Sequence, residues 1–225
     1  DEAGSRFRCI IISDDPRAVR LGITPISSPR SLVSHPSNAT EEGQLKINMA
    51  PTMHIALVQA LPKGNKFDLI IRQAVELEVE LIVPLITRHC VEQEPSERAN
   101  GKLERRKRII REAMQQSGSL VYTEILSTAD LETLDAALNA KGFSRKDSVR
   151  ILFHESEQEK SQALHFLLSD EKDRVVLAIG PEGGLSSNDC AAFVDMGFAV
   201  HHVRGPVLRV ETAAIFAISA VRAIA

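Results

Sequence analysis

From His54 onward, short apolar runs alternate with segments whose apolar residues recur at helical spacing, and this alternation constrains the fold more than any other feature. A helix between each pair of runs provides the connection that parallel strands need. Residues 50–225 therefore predict an α/β domain with a largely parallel sheet. The expected strands are His54–Ala60, Leu81–Leu85, Val121–Leu126, Val149–Phe153, Val175–Ile179 and Phe198–Val203.

Capping residues define the expected ends of several helices. Asp130 is a good N-cap for a helix that runs to about residue 140, where Gly142 ends it. Ser186 is placed to cap another helix after the fifth of these strands. Ser156 with Glu159 has the spacing of a capping box. These signals support the helices predicted between the strands.

Residues 1–49 have a different composition from the rest of the chain. Strand-like runs occur at Phe7–Ile12, Ala18–Ile23 and Leu45–Asn48, and a polar stretch at residues 27–43 is rich in Ser, Asn, Thr and Pro. We therefore expect a small, partial all-β domain before the α/β domain. Because no methionine precedes Asp1, we also expect the chain to be a fragment of a longer protein.

Composition excludes several classes of protein. The 225 residues carry a net charge of -3, so a nucleic-acid site would have to be a local patch. Cys9, Cys90 and Cys190 have no CxxC or paired histidine spacing, so we expect neither disulfides nor a metal site. The last helix is the most apolar segment but contains Arg222, and no signal peptide is recognisable. A cytoplasmic protein without a membrane segment is expected.

The strand Val175–Ile179 runs into a glycine loop at residues 180–184 with the sequence GPEGG. Glycines allow backbone groups to approach a ligand closely, although a plain strand-to-helix turn uses the same residues. A second irregular loop, residues 204–212, follows the strand Phe198–Val203. The two loops would flank one crevice if their strands were neighbours. His154 and Glu155 also lie at the carboxyl end of a predicted strand, where α/β proteins bind ligands.

A cluster of cations lies on the predicted helix from about residue 102 to 116. It contains Arg105, Arg106, Lys107, Arg108 and Arg111. Such a run is either a solvated helix face or a patch that contacts phosphates, and the sequence leaves both open.

Four motifs occur together in one order along the chain: ELEVELIVPL at residues 76–85, EAMQQSG at 112–118, GPEGG at 180–184 and LRVETA at 208–213. With them the chain resembles the RsmE-type 16S rRNA uridine-N3 methyltransferases of the SPOUT superfamily over residues 54–225. GPEGG followed by LRxETA is specific as a pair. The strands before residue 49 resemble the later part of the PUA-like β-barrel of that family.

The resemblance implies a SPOUT-type parallel sheet with a C-terminal trefoil knot, preceded by a PUA-like barrel that binds RNA at residues 1–49. It implies a homodimer in which the last helix packs against the partner subunit. The implied reaction transfers a methyl group from S-adenosylmethionine to N3 of a uridine in 16S rRNA of the small ribosomal subunit. No metal is implied.

The resemblance also implies three sets of site residues. Arg209 and Glu211 are the catalytic candidates, although Glu211 is equally suited as a favourable charge at a helix start. Glu182 is expected either to attract the sulfonium or to hold a loop amide. The cofactor set is His154, Glu155, Ile179, Gly180, Pro181, Glu182, Gly183, Gly184, Val203, Gly205, Leu208, Arg209, Thr212 and Ala213. The RNA-binding set is Lys63, Lys66, Arg105, Arg106, Arg108, Arg111 and Gln116.

Several positions depart from the family pattern. Ser119 replaces an arginine, Gln73 a lysine and Glu78 a glycine, while Arg88 and His89 stand where Glu-Arg is more usual. Two alternatives therefore stay open: a SPOUT enzyme that modifies another base or a ribose hydroxyl, and a non-catalytic RNA-binding relative. A nucleotide-phosphate enzyme is disfavoured because the chain contains neither GxGxxG nor GxxxxGKS/T.

Overall fold

The chain separates into two units, Asp1–Asn48 and Met49–Ala225, in a computed structural model. The structure describes residues 7–15, 18–25, 53–91, 96–155, 161–169 and 172–224, with side chains from residue 53 onward except at 96–99. In the first unit, β1 (Phe7–Asp15) and β2 (Ala18–Pro25) form an antiparallel pair, with an irregularity between Ile11 and Ser13. The first two predicted strands are confirmed. The predicted strand Leu45–Asn48 lies outside the described residues, and the PUA-like barrel stays a prediction.

The second unit contains one six-stranded sheet in which every neighbouring pair is parallel. Its strands are β3 (His54–Ala60), β4 (Leu81–Leu85), β5 (Glu124–Ile125), β6 (Ser148–His154), β7 (Arg174–Ile179) and β8 (Ala199–His202), in the spatial order β5-β4-β3-β7-β6-β8. Its helices are α1 (Lys66–Glu76), α2 (Ser96–Ser117), α3 (Leu131–Ala140), α4 (Leu164–Leu167), α5 (Ser187–Asp195) and α6 (Val210–Ile224). The predicted parallel α/β architecture is confirmed.

Two hydrophobic clusters cover the two faces of the sheet. On β3, Ile55 and Leu57 belong to the cluster that includes residues of α1, α2, α4 and α6. Ala56 and Val58 belong to the other cluster, with residues of α3 and α5. All four β3 side chains are fully buried. Because alternate residues point to opposite faces, both faces of the sheet must be covered by helices.

The predicted caps are confirmed at two helices. Asp130 accepts a hydrogen bond from the Thr133 amide at 2.9 Å, and Ser186 accepts one from the Asp189 amide at 3.2 Å. The proposed capping box at Ser156 lies outside the described residues. The helix that follows it is only four residues long and has no side-chain cap.

Several element boundaries differ from the prediction. Helix α2 begins at Ser96, six residues before its predicted start. The strand predicted over residues 121–126 is confined to Glu124–Ile125, and the Ser119 hydroxyl, which bonds both the amide and the carbonyl of Val121 at 3.3 Å, is a local contact that competes with strand pairing. Helix α6 begins at Val210, which places Glu211 in its first turn. In the described part of the chain, no helix is long and apolar enough to cross a membrane.

Helix α6 is tied to the end of α1 through Arg222. Its guanidinium donates to the carbonyls of Met53 at 2.9 Å, Leu77 at 3.3 Å and Glu78 at 2.8 Å. Burial lowers the pKa of Arg222 from its ordinary value. Glu78 has a φ of 58° and is the one non-glycine residue with positive φ in the described ranges. The glycine usual at this position in the resembled family would adopt that backbone without strain.

Candidate active site

A cleft opens at the carboxyl ends of β6 and β7, beside the loop that follows β8. Its walls combine apolar side chains with the backbone of the glycine loop. The lining residues are Phe153, His154, Glu155, Ile179, Gly180, Pro181, Gly184, Leu185, Val203, Pro206, Val207, Leu208, Val210 and Ala213.

The strands that precede the two irregular loops are not neighbours, because β6 lies between β7 and β8. The end of β6 therefore contributes His154 and Glu155 to the space between the loops. His154 is in register with His202 of β8 and follows Phe153, which is in register with Ile179 of β7. The two loops line one cleft, as expected, but across the end of an intervening strand.

Most residues of the predicted cofactor set line this cleft. They are His154, Glu155, Ile179, Gly180, Pro181, Gly184, Val203, Leu208 and Ala213. The remaining members, Glu182, Gly183, Gly205, Arg209 and Thr212, do not line it. Five lining residues are absent from the named cofactor set: Phe153, Leu185, Pro206, Val207 and Val210. The last three belong to the second irregular loop, residues 204–212, which was expected to flank the site, whereas Phe153 and Leu185 lie outside both predicted loops. Each adjoins a predicted site residue along the chain, and this adjacency was the available signal.

The glycine loop is a tight turn that packs against residues following β6 and β4. The Gly184 amide donates to the Pro181 carbonyl at 2.9 Å, and Gly184 has a φ of +69°. A Cβ at Gly184 would lie 2.9 Å from Oε1 of Glu155, and one at Gly183 would lie 3.1 Å from Cβ of His89. Nδ1 of His89 also lies 3.1 Å from the Gly183 carbonyl oxygen. The backbone thus passes so close to its neighbours that an added Cβ would displace them.

Glu182 points to the turn after β3 and is fixed there. Its two carboxylate oxygens each accept from the Lys63 amide at 3.2 Å, and Oε1 accepts from Nζ of Lys66 at 2.7 Å. Burial raises the pKa of Glu182, but the hydrogen bonds from Lys66 and from backbone amides outweigh this, so the pKa lies below its ordinary value. Of the two expected roles for Glu182, only that of holding an amide has a contact in the structure.

Glu211 lies beside the same cation. Its Oε2 is 3.8 Å from Nζ of Lys66, and its side chain is 18% exposed. Among the described residues, this buried oxygen has no hydrogen-bond partner. Its backbone neighbour Val210 lines the cleft, whereas Glu211 is not among the lining residues. Arg209 is exposed, and its carbonyl accepts from the Ala213 amide in the first turn of α6 at 2.8 Å.

The predicted RNA-binding residues on α2 have different environments. Arg106 is 6% exposed, and its guanidinium lies 4.8 Å from the centre of the Phe67 ring. Because this side chain packs inward, the prediction that Arg106 contacts RNA is corrected. Arg105 pairs with both carboxylate oxygens of Asp68. Four other members of the predicted RNA-binding set are exposed: Lys63, Arg108, Arg111 and Gln116. In the described ranges, no group of three or more His, Cys, Asp or Glu residues could hold a metal ion.

Comparison with known protein families gives a match that spans most of the chain. The model of the RNA methyltransferase domain matches residues 48–222. The ribosomal RNA small subunit methyltransferase E of Aquifex aeolicus is 31% identical over 75% of this chain and 68% of that protein. The protein of the same name from Mycobacterium bovis is 28% identical over 74% of this chain and 62% of its own length. The chain therefore spans less than two thirds of that relative.

Solved structures show the same fold. The ribosomal RNA small subunit methyltransferase E of Neisseria gonorrhoeae, bound to S-adenosyl methionine, is 25% identical with a TM-score of 0.65, over 76% of this chain and 66% of that one. A putative methyltransferase from Legionella pneumophila, also in complex with this cofactor, is 25% identical with a TM-score of 0.73. That match covers 98% of this chain and 79% of the Legionella chain.

Proposed function

The chain belongs to the ribosomal RNA small subunit methyltransferase E family, and we propose that it transfers a methyl group from S-adenosylmethionine to N3 of a uridine in 16S rRNA. The observation that carries this proposal is the cleft between the glycine loop and the loop after β8. Both loops lie within residues 48–222, the segment matched by the family model. The proposed site is therefore part of the matched domain.

The lining of the cleft suits S-adenosylmethionine. Ile179, Val203 and Leu208 offer apolar walls for an adenine ring, while Gly180 and Gly184 bring backbone groups to the same space. The absence of a Cβ at two positions of the loop allows a nucleoside to approach the backbone. We propose that these residues, with His154 and Glu155, hold the cofactor.

Gly184→Ala is expected to weaken S-adenosylmethionine binding about tenfold, as for the loss of one hydrogen bond. The new Cβ would lie 2.9 Å from Oε1 of Glu155, whose flexible side chain would move and change the cleft wall. Gly118→Ala is the matched control, because Gly118 has the same φ of +69° but no atom within 4 Å of its Cβ position. Both variants should lose about 1–2 kcal/mol of unfolding free energy. Calorimetric titration and thermal unfolding measure the two effects, and equal cofactor affinities would contradict the prediction.

We propose catalytic roles for Glu211 and Arg209 at the start of α6. S-adenosylmethionine, when bound, supplies a methyl group that its sulfonium already activates. The neutral uridine carries a proton on N3, and Glu211 accepts it, which leaves an electron pair for the new nitrogen–carbon bond. Arg209 stabilises the negative charge that develops on the uridine ring. Glu211 adjoins the cleft residue Val210 along the chain and has a buried oxygen that accepts no hydrogen bond from the described residues, and both observations support this assignment.

Other parts of the proposal concern the whole protein. We propose that Lys63, Arg108, Arg111 and Gln116 face the RNA, because all four are exposed. The family resemblance further supports an RNA-binding PUA-like domain in residues 1–49, a trefoil knot in residues 50–225, a homodimer and a place in the cytoplasm. Phe216 and Ile224 of α6 are 43% and 48% exposed, and this apolar surface supports packing against a partner subunit.

The test is transfer of a labelled methyl group from S-adenosylmethionine to small ribosomal subunits that lack base methylation, followed by digestion to nucleosides. Label in 3-methyluridine is the expected result. Label in another nucleoside would show that the protein is a methyltransferase with a different acceptor. Cofactor binding and salt-sensitive RNA binding without label would indicate a non-catalytic RNA-binding protein.

A further inference from the structure

We propose that Lys66 is a positioning residue, and that its ammonium ties Glu182 of the glycine loop to Glu211 of α6. The inference rests on the proposed function, because it assigns one cation the task of setting both the cofactor loop and the carboxylate that takes the N3 proton. The family resemblance placed Lys66 in the RNA-binding set. The contacts made by its side chain indicate a different role.

Three segments that are distant in sequence meet at Lys66. Its Nζ lies 2.7 Å from Oε1 of Glu182, which follows β7, and 3.8 Å from Oε2 of Glu211, which opens α6. The amide of Lys63 in the turn after β3 binds both oxygens of the same Glu182 carboxylate. Glu182 is therefore held at its two oxygens by one turn. The ammonium is the group that also reaches α6.

The electrostatics favour a fixed arrangement. The side chains of Glu182 and Glu211 are only 24% and 18% exposed, while that of Lys66 is 37% exposed. The hydrogen bond to Glu182 raises the pKa of Lys66, with the Glu211 charge adding to it and the Arg209 charge opposing it. Lys66 thus stays protonated and Glu182 stays ionised. Two carboxylates near one another would repel each other without the cation between them.

An RNA contact and a simple surface ion pair are the competing explanations for Lys66. A phosphate contact would contribute to the salt dependence of RNA binding, because each neutralised phosphate changes the slope of log affinity against log salt by about one. A surface ion pair would contribute little to the stability of the fold and would leave catalysis unchanged. A positioning role instead predicts a loss in kcat, since a small displacement of reacting groups costs about 100-fold.

The experiment compares Lys66→Met, Lys66→Arg, Lys63→Met and Lys141→Met. Lys141 is the matched control, because its Nζ forms a 2.5 Å ion pair with Glu124 and its side chain is 36% exposed, but it lies outside the site. Methyl transfer is measured as kcat and as KM for RNA over a range of salt concentrations. Hydrogen exchange at the Lys63 amide and at residues 180–184 is measured in the same variants.

Lys66→Met is expected to lower kcat about 100-fold with little change in the salt slope for RNA, whereas Lys66→Arg recovers most of the loss. Lys63→Met should raise KM for RNA, and Lys141→Met should match the parent chain. An unchanged kcat with a lower salt slope in Lys66→Met would overturn the proposal, as would an arginine variant no better than methionine. If the parent chain transfers no methyl group, the proposed function fails, but hydrogen exchange still tests the positioning role of Lys66. Faster exchange at residues 180–184 in Lys66→Met supports that role. Unchanged exchange there overturns it.

Discussion

Glu211→Gln is expected to lower the kcat of methyl transfer by about 100- to 10,000-fold, the range for removal of a general base. Glutamine keeps the size of the side chain but cannot accept the N3 proton. Glu211 lies in the first turn of α6, next to the cleft residue Val210, and its Oε2 is 3.8 Å from Nζ of Lys66. Because Glu211 does not line the cleft itself, the affinity for S-adenosylmethionine should change little.

Single-turnover methyl transfer and calorimetric titration with S-adenosylmethionine measure these two effects separately. Glu132→Gln is the matched control, because Glu132 is also an acidic residue in the first turn of a helix. The substitution removes the same negative charge as Glu211→Gln. An N-terminal acidic residue contributes about 0.3–1 kcal/mol through the helix dipole, so both variants should lose similar stability. If Glu211→Gln keeps the parent kcat, Glu211 is only a helix-start charge and another group removes the proton.

Arg150→Met is expected to lower the free energy of unfolding of the α/β unit by about 3 kcal/mol. The Arg150 side chain is 1% exposed in the middle of β6. It donates to Asp135 at 2.5 Å, to the Met196 carbonyl at 2.8 Å, to the Phe143 carbonyl at 3.0 Å and to Asn139 at 3.2 Å. Methionine fills a similar space but leaves these acceptors without their donor.

Urea unfolding followed by circular dichroism gives the free energy, and a thermal scan should show a decrease of about 6–12 °C. Arg108→Met is the control, because the Arg108 side chain is 65% exposed and its closest partner, Glu112, is 4.0 Å away. That substitution should change the free energy by less than about 0.5 kcal/mol. Equal stability of the two variants would show that the buried hydrogen bonds of Arg150 contribute little.

Local chemistry made some elements predictable from the sequence. The strands His54–Ala60 and Leu81–Leu85 have the predicted ends, because most of their side chains are apolar and are buried on both faces of the sheet. Asp130 and Ser186 cap their helices as predicted, since capping depends on a side chain and an amide three residues away. The strand predicted around Glu124–Ile125 was too long. The Ser119 hydroxyl bonds the Val121 backbone, and this local bond competes with strand pairing.

The environments of charged side chains could not be predicted in the same way. Arg106 belongs to a run of cations that favours an exposed face, yet it packs over Phe67. Arg150 interrupts an apolar strand, and its partners come from segments on α3, before β6 and after α5. Lys66 was assigned to RNA, but its contacts are with Glu182 and Glu211. These partners are distant in sequence, so no local pattern identifies them.

The sequence by itself determined the parallel α/β class, the ends of two buried strands, the capped helices and the two loops that form the candidate site. These features depend on apolar periodicity, on glycine and on contacts within a few residues. Only the tertiary structure decided that β6 separates the two loop-bearing strands and places His154 and Glu155 between them. It alone placed Lys66 between Glu182 and Glu211. The physical reason is that strand order and ion pairing depend on where distant segments pack, which a one-dimensional pattern does not encode.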